Sequence, residues 1–440
     1  MAFFDSVRLS LPDSSLFTWP LNTKSGFIPP PPPGSAPFAP PVEIPDHIYH
    51  AVLDFRVPVT IAATYAVTAK LLNIYNKSTG KKPWAISKTF VFRWFVIFHN
   101  IFLAVYSAWT WWGMFNALRR TVVNPMGPQG FTGFVDSMCK INGPGGLGNA
   151  AFFDEASNSW QSLSPGVLTE EGLPSQYSPG RMWNEGLGFY GWLFYLSKFY
   201  EVLDTLIILA KGKLSSTLQT YHHAGAMMCM WAGIRFMSTP IWIFVFFNSF
   251  IHAIMYTYYT VTAFNIRVPM FIKRSLTSMQ ITQFLVGGSG AMIYSFITYS
   301  VPVISHTEEA SSSASAVANG TSAGVVDPVK GKYASQPTAC VTSNGTTFAV
   351  WLNVFYLTPL TYLFVSFFIE SYLRRSNATS SKGKGAQARR PSNNLAIAEK
   401  AGWEAAKNVK REVYGESNEE AIAAETKKNG KNGRVLRNRH

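Results

Sequence analysis

Apolar residues gather into seven windows of about 20 residues, near 50–72, 89–113, 185–210, 218–236, 240–263, 276–299 and 347–372. A bilayer core of ~30 Å needs about that many helical residues. The pattern therefore predicts an all-α integral membrane protein with seven transmembrane helices. Within the windows the polar residues are not scattered. The third carries Lys198, Glu201 and Asp204-Thr205 in "KFYEVLDT", and the fourth carries Gln219, His222 and His223. The fifth carries Asn248, His252, Tyr256 and Tyr259, the sixth Thr277, Gln280 and Gln283, and the second His99 and Asn100. Spacings of three and four place the sets of the third to sixth windows each on one helical face. An ionisable group in hydrocarbon costs about 2.5–3.5 kcal/mol even on insertion scales, so such faces turn toward an interior cavity. Five matched stripes predict one shared, polar-lined cavity. Lys198, Glu201 and Asp204 are expected to pair with one another or with neighbours, because an unpaired buried charge is prohibitive.

The remaining segments divide the chain. Residues 1–48, with "FIPPPPPGSAPFAPP", read as a flexible Pro-rich tail, 49–373 as the helical domain, and 374–440 as a basic, mostly disordered tail. Two long loops, 114–184 and 301–346, interrupt the domain, and Glu308–Gly324 has a disordered composition. The opening "MAFFDSVRLSLPDS" lacks the features of a cleavable signal, so the first span is expected to target the chain.

Charge then orients the bundle. Of the net +14, Lys77, Lys81, Lys82 and Lys88 follow the first window, and Lys211 and Lys213 follow the third. Arg267, Lys273 and Arg274 follow the fifth, and Arg374 and Arg375 follow the seventh. Cations on alternate loops predict that those loops and the C-terminus face the cytosol and the N-terminus the far side. No recognition fold accompanies the charge, so nucleic acid is not an expected partner. Of three cysteines, Cys139 and Cys340 fall in far-side loops and either form a disulfide or remain separate thiols, whereas Cys229 lies in the fourth window. Asn319-Gly-Thr and Asn344-Gly-Thr are sequons on that same side.

The imidazoles admit two chemistries. Di-iron sites need several histidine boxes, and this chain has one adjacent pair among eight His. A single zinc on His222, His223 and His252 stays open. Alternatively, a neutral imidazole in a dry cavity attacks a thioester or serves as general base, with amides such as Gln219 or Asn248 stabilising the oxyanion. Cys229, seven residues past His222 and about 10 Å along the axis, either lines the cavity or is a rival nucleophile.

"KFYEVLDT", "TYHHAG", "NSFIHAIMYTYY" and "TSMQITQF" occur in the order and at the intervals of the ELO family of fatty-acid elongases, which the chain resembles over about residues 50–373. The resemblance implies a very-long-chain 3-oxoacyl-CoA synthase of the endoplasmic reticulum membrane, N-terminus lumenal and C-terminus cytosolic. Such an enzyme joins acyl-CoA to malonyl-CoA, releases CO2 and CoA, and needs no metal or other cofactor. It also implies a seven-helix bundle with six helices enclosing an acyl-chain tunnel. His222 would carry the acyl group with His252 facing it, while His223 and Asn248 orient or stabilise. Lys198, Glu201, Asp204, Tyr256, Gln280, Gln283 and His99 would line or brace the tunnel. Lys211, Lys213, Arg267, Lys273 and Arg274 are candidates for the CoA phosphates, or only set topology. Implied partners are the bilayer and the reductases and dehydratase of an elongation cycle, and a second copy of the chain stays open. One departure is Gln219, where the family's box begins with His; it resembles a fungal and algal subset acting on polyunsaturated chains, and saturated or monounsaturated chains stay open as substrates. A ligand-binding receptor or transporter, and a scaffold inactivated by Gln219, are the competing readings.

Overall fold

The computed structural model describes residues 7–21, 40–127, 129–142, 151–154, 157, 159–162, 168–170, 172, 180–305 and 332–369. The Pro-rich stretch up to residue 39, the segment Glu308–Gly324 with Asn319, and the tail 374–440 lie outside the described residues.

The described chain is mostly helical. A short α1 (Asp46–Val52) leads into α2 (Arg56–Ser78), and α3 follows (Phe90–Thr121). After α4 (Gly130–Cys139) come α5 (Gly188–Tyr200), α6 (Val202–Ala210), α7 (Thr217–Arg235), α8 (Ile241–Ala263), α9 (Met270–Tyr294) and α10 (Asn344–Phe368). Local chemistry sets several starts. Thr89, Ser216 and Ser343 cap α3, α7 and α10 by accepting from the backbone N–H groups of Phe92, Gln219 and Thr346. Prolines 240 and 269 immediately precede α8 and α9.

Among the described residues, α2, α3, α8 and α10 are long and apolar enough to cross a membrane. The windows expected over 185–210, 218–236 and 276–299 are helical over most of their length as well, and polar residues dilute the last two. The first of these is interrupted: the run ends at Tyr200 and resumes at Val202. The chain is a helical membrane protein. α3 packs along α8, α8 on α9, α9 on α10, α10 on α7, and α2 on α6 and α7, with α5 wedged against α3, α7 and α8.

Two departures from an all-helical reading lie at one end. The window over 276–299 stops as helix at Tyr294 and continues as strand, and 301–346 is not wholly irregular. With β1 (Val7–Leu9), β2 (Ala151–Asp154) and β3 (Ser159–Ser162) earlier in the chain, β4 (Ile297–Ser305) and β5 (Lys332–Ala339) complete the strands. The antiparallel order is β1-β4-β5, and β2 pairs separately with β3. Alternation of Ile297, Tyr299 and Val301 explains β4, since period two suits a half-buried strand. The three-stranded sheet and α4 cap this end of the bundle.

The Cys139–Cys340 disulfide fastens the cap across 201 residues, with Cα atoms 4.7 Å apart. Beside it Asp136, fully buried, accepts from Arg181 Nη1 at 2.9 Å and from the Tyr299 hydroxyl at 3.0 Å. Burial pushes the Tyr299 hydroxyl above its ordinary pKa, and the Asp136 charge adds to this. Burial, helped by the nearby Arg181 charge, lowers that of Lys140. Asn344 donates from Nδ2 to the carbonyls of Thr18 at 3.1 Å and Pro20 at 2.9 Å, clasping the N-terminal segment.

Candidate active site

At the end opposite the cap, a chamber of about 680 Å³ opens among the helices. Its walls come from α3, α6, α7, α8, α9 and α10, and they include Gln219, His222, His223, His252, Asp204, Tyr256, Gln280 and Gln283. The stripes read from sequence therefore do converge. A narrow apolar pocket of about 50 Å³ continues from it toward the cap, between α5, α7, α8, α9 and α10. His222, Gln283 and Phe284 line both spaces. His222 thus stands at the junction of a polar chamber and a greasy one.

A tyrosine absent from the sequence-based candidates fixes the His222 ring. Tyr356 on α10 donates its hydroxyl hydrogen to the His222 carbonyl at 2.7 Å, and the same oxygen lies 3.1 Å from His222 Nδ1. A phenol has one hydrogen and a carbonyl can only accept. That hydrogen is committed, so toward the ring Tyr356 acts as acceptor and Nδ1 carries the proton. In the neutral ring Nε2 is then the nitrogen with the free lone pair. Gly225, one turn along α7, makes this approach possible. A Cβ there would fall 2.0 Å from Tyr356 Cε2. No spacing rule points to Tyr356, because its partner is 134 residues away; only the exception it makes in an apolar run marks it.

Two buried networks brace the walls. In the first, Lys198 Nζ donates to Glu201 Oε1 at 2.6 Å and to Asn248 Oδ1 at 3.1 Å, and Asn248 Nδ2 passes the chain to Gln283 Oε1 at 3.3 Å. His252 Nδ1 lies 3.4 Å from the same Glu201 oxygen. In the second, Asp204 accepts from His99 Nε2 at 2.8 Å and from the Tyr256 hydroxyl at 2.5 Å. The interruption at Glu201 divides the work. Lys198 and Glu201 turn to α8, whose Asn248 in turn reaches α9, while Asp204 reaches α3 and the later turn of α8. Every charge expected to need a partner has one, as burial demands. His99 is buried behind Asp204 and does not line the chamber. His223, 8% exposed, stands edge-on to Tyr65.

Lys211, Lys213 and Lys273 reach the chamber wall, whereas Arg267 and Arg274 are exposed and not part of it. Positive charge on a loop predicts sidedness but not direction, so sequence could not separate these two groups. Asparagines of α2 hold the lysine loop in place. Asn73 both donates to the Ser215 carbonyl and accepts from its N–H, and Asn76 Nδ2 donates to the carbonyls of Leu209 and Lys213. Gly212, at φ +75°, allows the turn between the two cations and packs against the Lys81 carbonyl. Partial burial, with Lys213 adding, pushes the Lys211 ammonium below its ordinary pKa. Among the described residues, no three His, Cys, Asp or Glu side chains converge as metal ligands.

A helical membrane protein whose bundle encloses a histidine-lined chamber, continued by an apolar pocket, is the class these features define. The particular family follows from comparison with known proteins: residues 50–380, about three quarters of the chain, match the model of the GNS1/SUR4 (ELO) family, and the chain belongs to it. Among its relatives, "Long chain fatty acid elongase 1" of Caenorhabditis elegans is 31% identical over 122 residues, 28% of this chain and 42% of that protein. "Fatty acid elongase 2" of Trypanosoma brucei brucei is 26% identical over 199 residues, 45% of this chain and 61% of its own length. The human "Very long chain fatty acid elongase 3" is 35% identical over 116 residues, 26% of this chain and 42% of its own length. The matches thus span about two fifths to three fifths of these relatives.

Proposed function

We propose that this protein is the condensing enzyme of fatty-acid elongation, a very-long-chain 3-oxoacyl-CoA synthase that works through an acyl-imidazole on His222. The observation that carries the reading is the Tyr356 contact. It protonates Nδ1 and leaves the Nε2 lone pair on a ring that borders both the polar chamber and the apolar pocket. Acyl-CoA enters from the lysine-bordered mouth, its phosphates meeting Lys211, Lys213 and Lys273, and its acyl chain threads into the apolar pocket, whose side chains part to admit it because about 50 Å³ is less than a long chain fills. Nε2 attacks the thioester carbonyl and the carbon–sulfur bond breaks. The thiolate leaves as CoA with the proton that the ring loses from Nδ1. Malonyl-CoA then loses CO2, and the resulting carbanion attacks the acyl-imidazole. Imidazole is expelled as its anion and takes a proton from water in the open chamber, giving 3-oxoacyl-CoA with a net uptake of one proton. Asn248 and Gln283, aligned by Lys198, and Gln219 on the chamber wall supply donors for the developing oxyanion. His252 and His223 orient reactants and exchange protons. The reading needs no metal or redox cofactor.

The same reading places seven spans in the endoplasmic reticulum membrane, the cap in the lumen and the lysine mouth in the cytosol. α5–α6, α7 and α9 then cross beside the four apolar helices, six passages enclose the tunnel, and α2 packs outside it. Reductases and a dehydratase of the elongation cycle consume the product.

The test uses membranes containing the full chain, labelled malonyl-CoA and a long-chain acyl-CoA. Label in 3-oxoacyl product from the wild type, its loss in His222→Ala, and an acyl adduct on His222 when malonyl-CoA is withheld are expected. Folded protein that yields neither product nor adduct would return the chamber to a ligand-binding receptor or transporter.

A further inference from the structure

Beside the chamber lies a second cavity, of about 660 Å³, between the start of α3, the α6–α7 turn and the end of α8. Lys88, Arg93 and Lys211 line it. Among the described residues no carboxylate borders this cavity, and none forms an ion pair with any of the three cations. The hydroxyl hydrogens of Ser87 and Thr89, also in the wall, are already donated to the carbonyls of Trp84 at 2.8 Å and Ile86 at 2.7 Å. The donors that face a ligand are therefore the three cations and the amide of Asn265. Backbone bonding fastens the two basic segments together. Trp84 donates its N–H to the Ala210 carbonyl at 2.9 Å and its indole N–H to Asn76 Oδ1 at 2.8 Å, so the approach to α3 is held against the α6–α7 turn. The cavity also meets an apolar surface. Phe90 lines it and begins a stripe in which Phe90, Trp94 and Phe98, one turn apart on α3, are exposed and in ring contact, with centroids 6.0 Å and 5.7 Å apart. Phe264 and Ile266, on either side of Asn265, are exposed as well.

We propose that this cavity binds an anionic phospholipid, its phosphate against Lys88, Arg93 and Lys211 and its acyl tails along Phe90, Trp94 and Phe98. The inference rests on the reading that the bundle spans a bilayer with this end in the cytosol, whose leaflet carries the anionic lipids. A phospholipid is confined to the plane of the cavity, so its phosphate meets the cations at a far higher local concentration than a free phosphate does. A zwitterionic lipid is a poorer match, because its ammonium would sit among three positive charges. The site also touches the proposed chemistry. Lys211, Val96, Thr262 and Ala263 line both the cavity and the chamber, whereas Lys213 and Lys273 line the chamber only. One ammonium cannot face two phosphates fully. Bound lipid therefore competes with acyl-CoA for Lys211 and leaves the histidines untouched, which raises KM for acyl-CoA at constant kcat.

The experiment places the full chain in phosphatidylcholine nanodiscs and titrates in a photoreactive phosphatidic acid. Saturable labelling that maps to the start of α3 or the end of α8 is expected. Lys88→Ala and Arg93→Ala should each weaken it roughly 5-fold, Lys88→Arg should retain it, and turnover in discs of phosphatidylcholine alone should match the wild type in all three. Glycerol 3-phosphate, a head group without tails, and inorganic phosphate are the soluble arm, and neither should displace the probe at matched concentration. Displacement by either assigns the cavity to a soluble phosphate and overturns the lipid. Equal labelling of wild type and the Lys88→Ala/Arg93→Ala variant, or equal labelling by a photoreactive phosphatidylcholine, overturns the site. In turnover assays, unlabelled phosphatidic acid should raise KM for acyl-CoA in the wild type and not in Lys88→Ala/Arg93→Ala; an unchanged KM in the wild type overturns the competition for Lys211. Labelling is read without turnover, so a protein that binds the probe as expected but forms no 3-oxoacyl product supports the site and removes the condensation reading alone.

Discussion

Replacing Tyr356 by Phe removes one oxygen and keeps the ring that fills the space over Gly225. In the wild type that oxygen accepts from His222 Nδ1 at 3.1 Å while donating to the His222 carbonyl at 2.7 Å. Without it, nothing on α10 favours the Nδ1–H tautomer, and the two neutral forms compete on intrinsic preference. A neutral hydrogen bond is worth about 0.5–1.5 kcal/mol net. At about 1.4 kcal/mol per factor of ten, that corresponds to roughly a 2- to 12-fold loss of the form with a free Nε2. The acylation half-reaction should slow by the same factor. Single-turnover transfer from labelled acyl-CoA to protein, with malonyl-CoA withheld, measures that step in isolation. Malonyl-CoA consumption by pre-acylated enzyme should be much less affected, which separates tautomer loss from general damage. Gly225→Ala provides a harsher version, because its methyl would occupy the position of the Tyr356 ring. Wild-type acylation rates in both variants would refute the assignment of Nε2 as nucleophile. So would an adduct mapped to a residue other than His222.

The packing fixes four further outcomes. Asp136→Asn leaves Arg181 buried without its counter-ion, and breaking such a pair costs about 3–5 kcal/mol; a marked fall in midpoint temperature in detergent or nanodiscs checks it. Tyr299→Phe at the same cluster should cost only about 1 kcal/mol. Asn344, although in a sequon, has both amide hydrogens donated to backbone carbonyls of the N-terminal segment; endoglycosidase treatment of the Asn319→Gln variant should therefore produce no mobility shift. Cys229→Ala should leave turnover and the acyl adduct largely intact, because this 1% exposed thiol serves as wall of the apolar pocket; loss of both would move the nucleophile to the cysteine.

Helical periodicity encodes a face and therefore encodes convergence. For that reason His222, His223, His252, Gln280 and Gln283 could be placed on one cavity from spacing alone. What periodicity does not encode is contact at a distance. Tyr356 reads as one aromatic in "NVFYLTPL", and only three-dimensional packing brings it to His222. The interruption at Glu201 was equally hidden, because "KFYEVLDT" keeps its helical spacing through the break. The strand over Ile297–Ser305 was legible in its alternation, yet it abuts a helix and reads as that helix's continuation. Arg267 and Arg274 share the sign of Lys211 and Lys273 but not their direction, and composition carries only sign.

The helices that fail a simple test for crossing a membrane are the ones that carry most of the candidate chemistry. α2, α3, α8 and α10 are apolar enough to insert by themselves, whereas α5–α6, α7 and α9 bear Lys198, Glu201, Asp204, the histidine pair and the glutamines. At about 2.5–3.5 kcal/mol per exposed charge, α5–α6 could not remain in hydrocarbon with those groups unpartnered. It is held by donors and acceptors on other helices: Asn248 for Lys198, His99 and Tyr256 for Asp204. Three of the four apolar helices supply those partners or Tyr356, and α2 packs on the back of α6 and α7. On the seven-span reading these polar helices are thus stable in the membrane only within the assembled bundle, and the chamber is stable only because they are there. Any variant that unpartners Asp204 should therefore harm insertion before it harms chemistry. In His99→Leu, protease access to α6 in intact membranes should rise at least as much as turnover falls; lost turnover with α6 still fully protected would contradict this order.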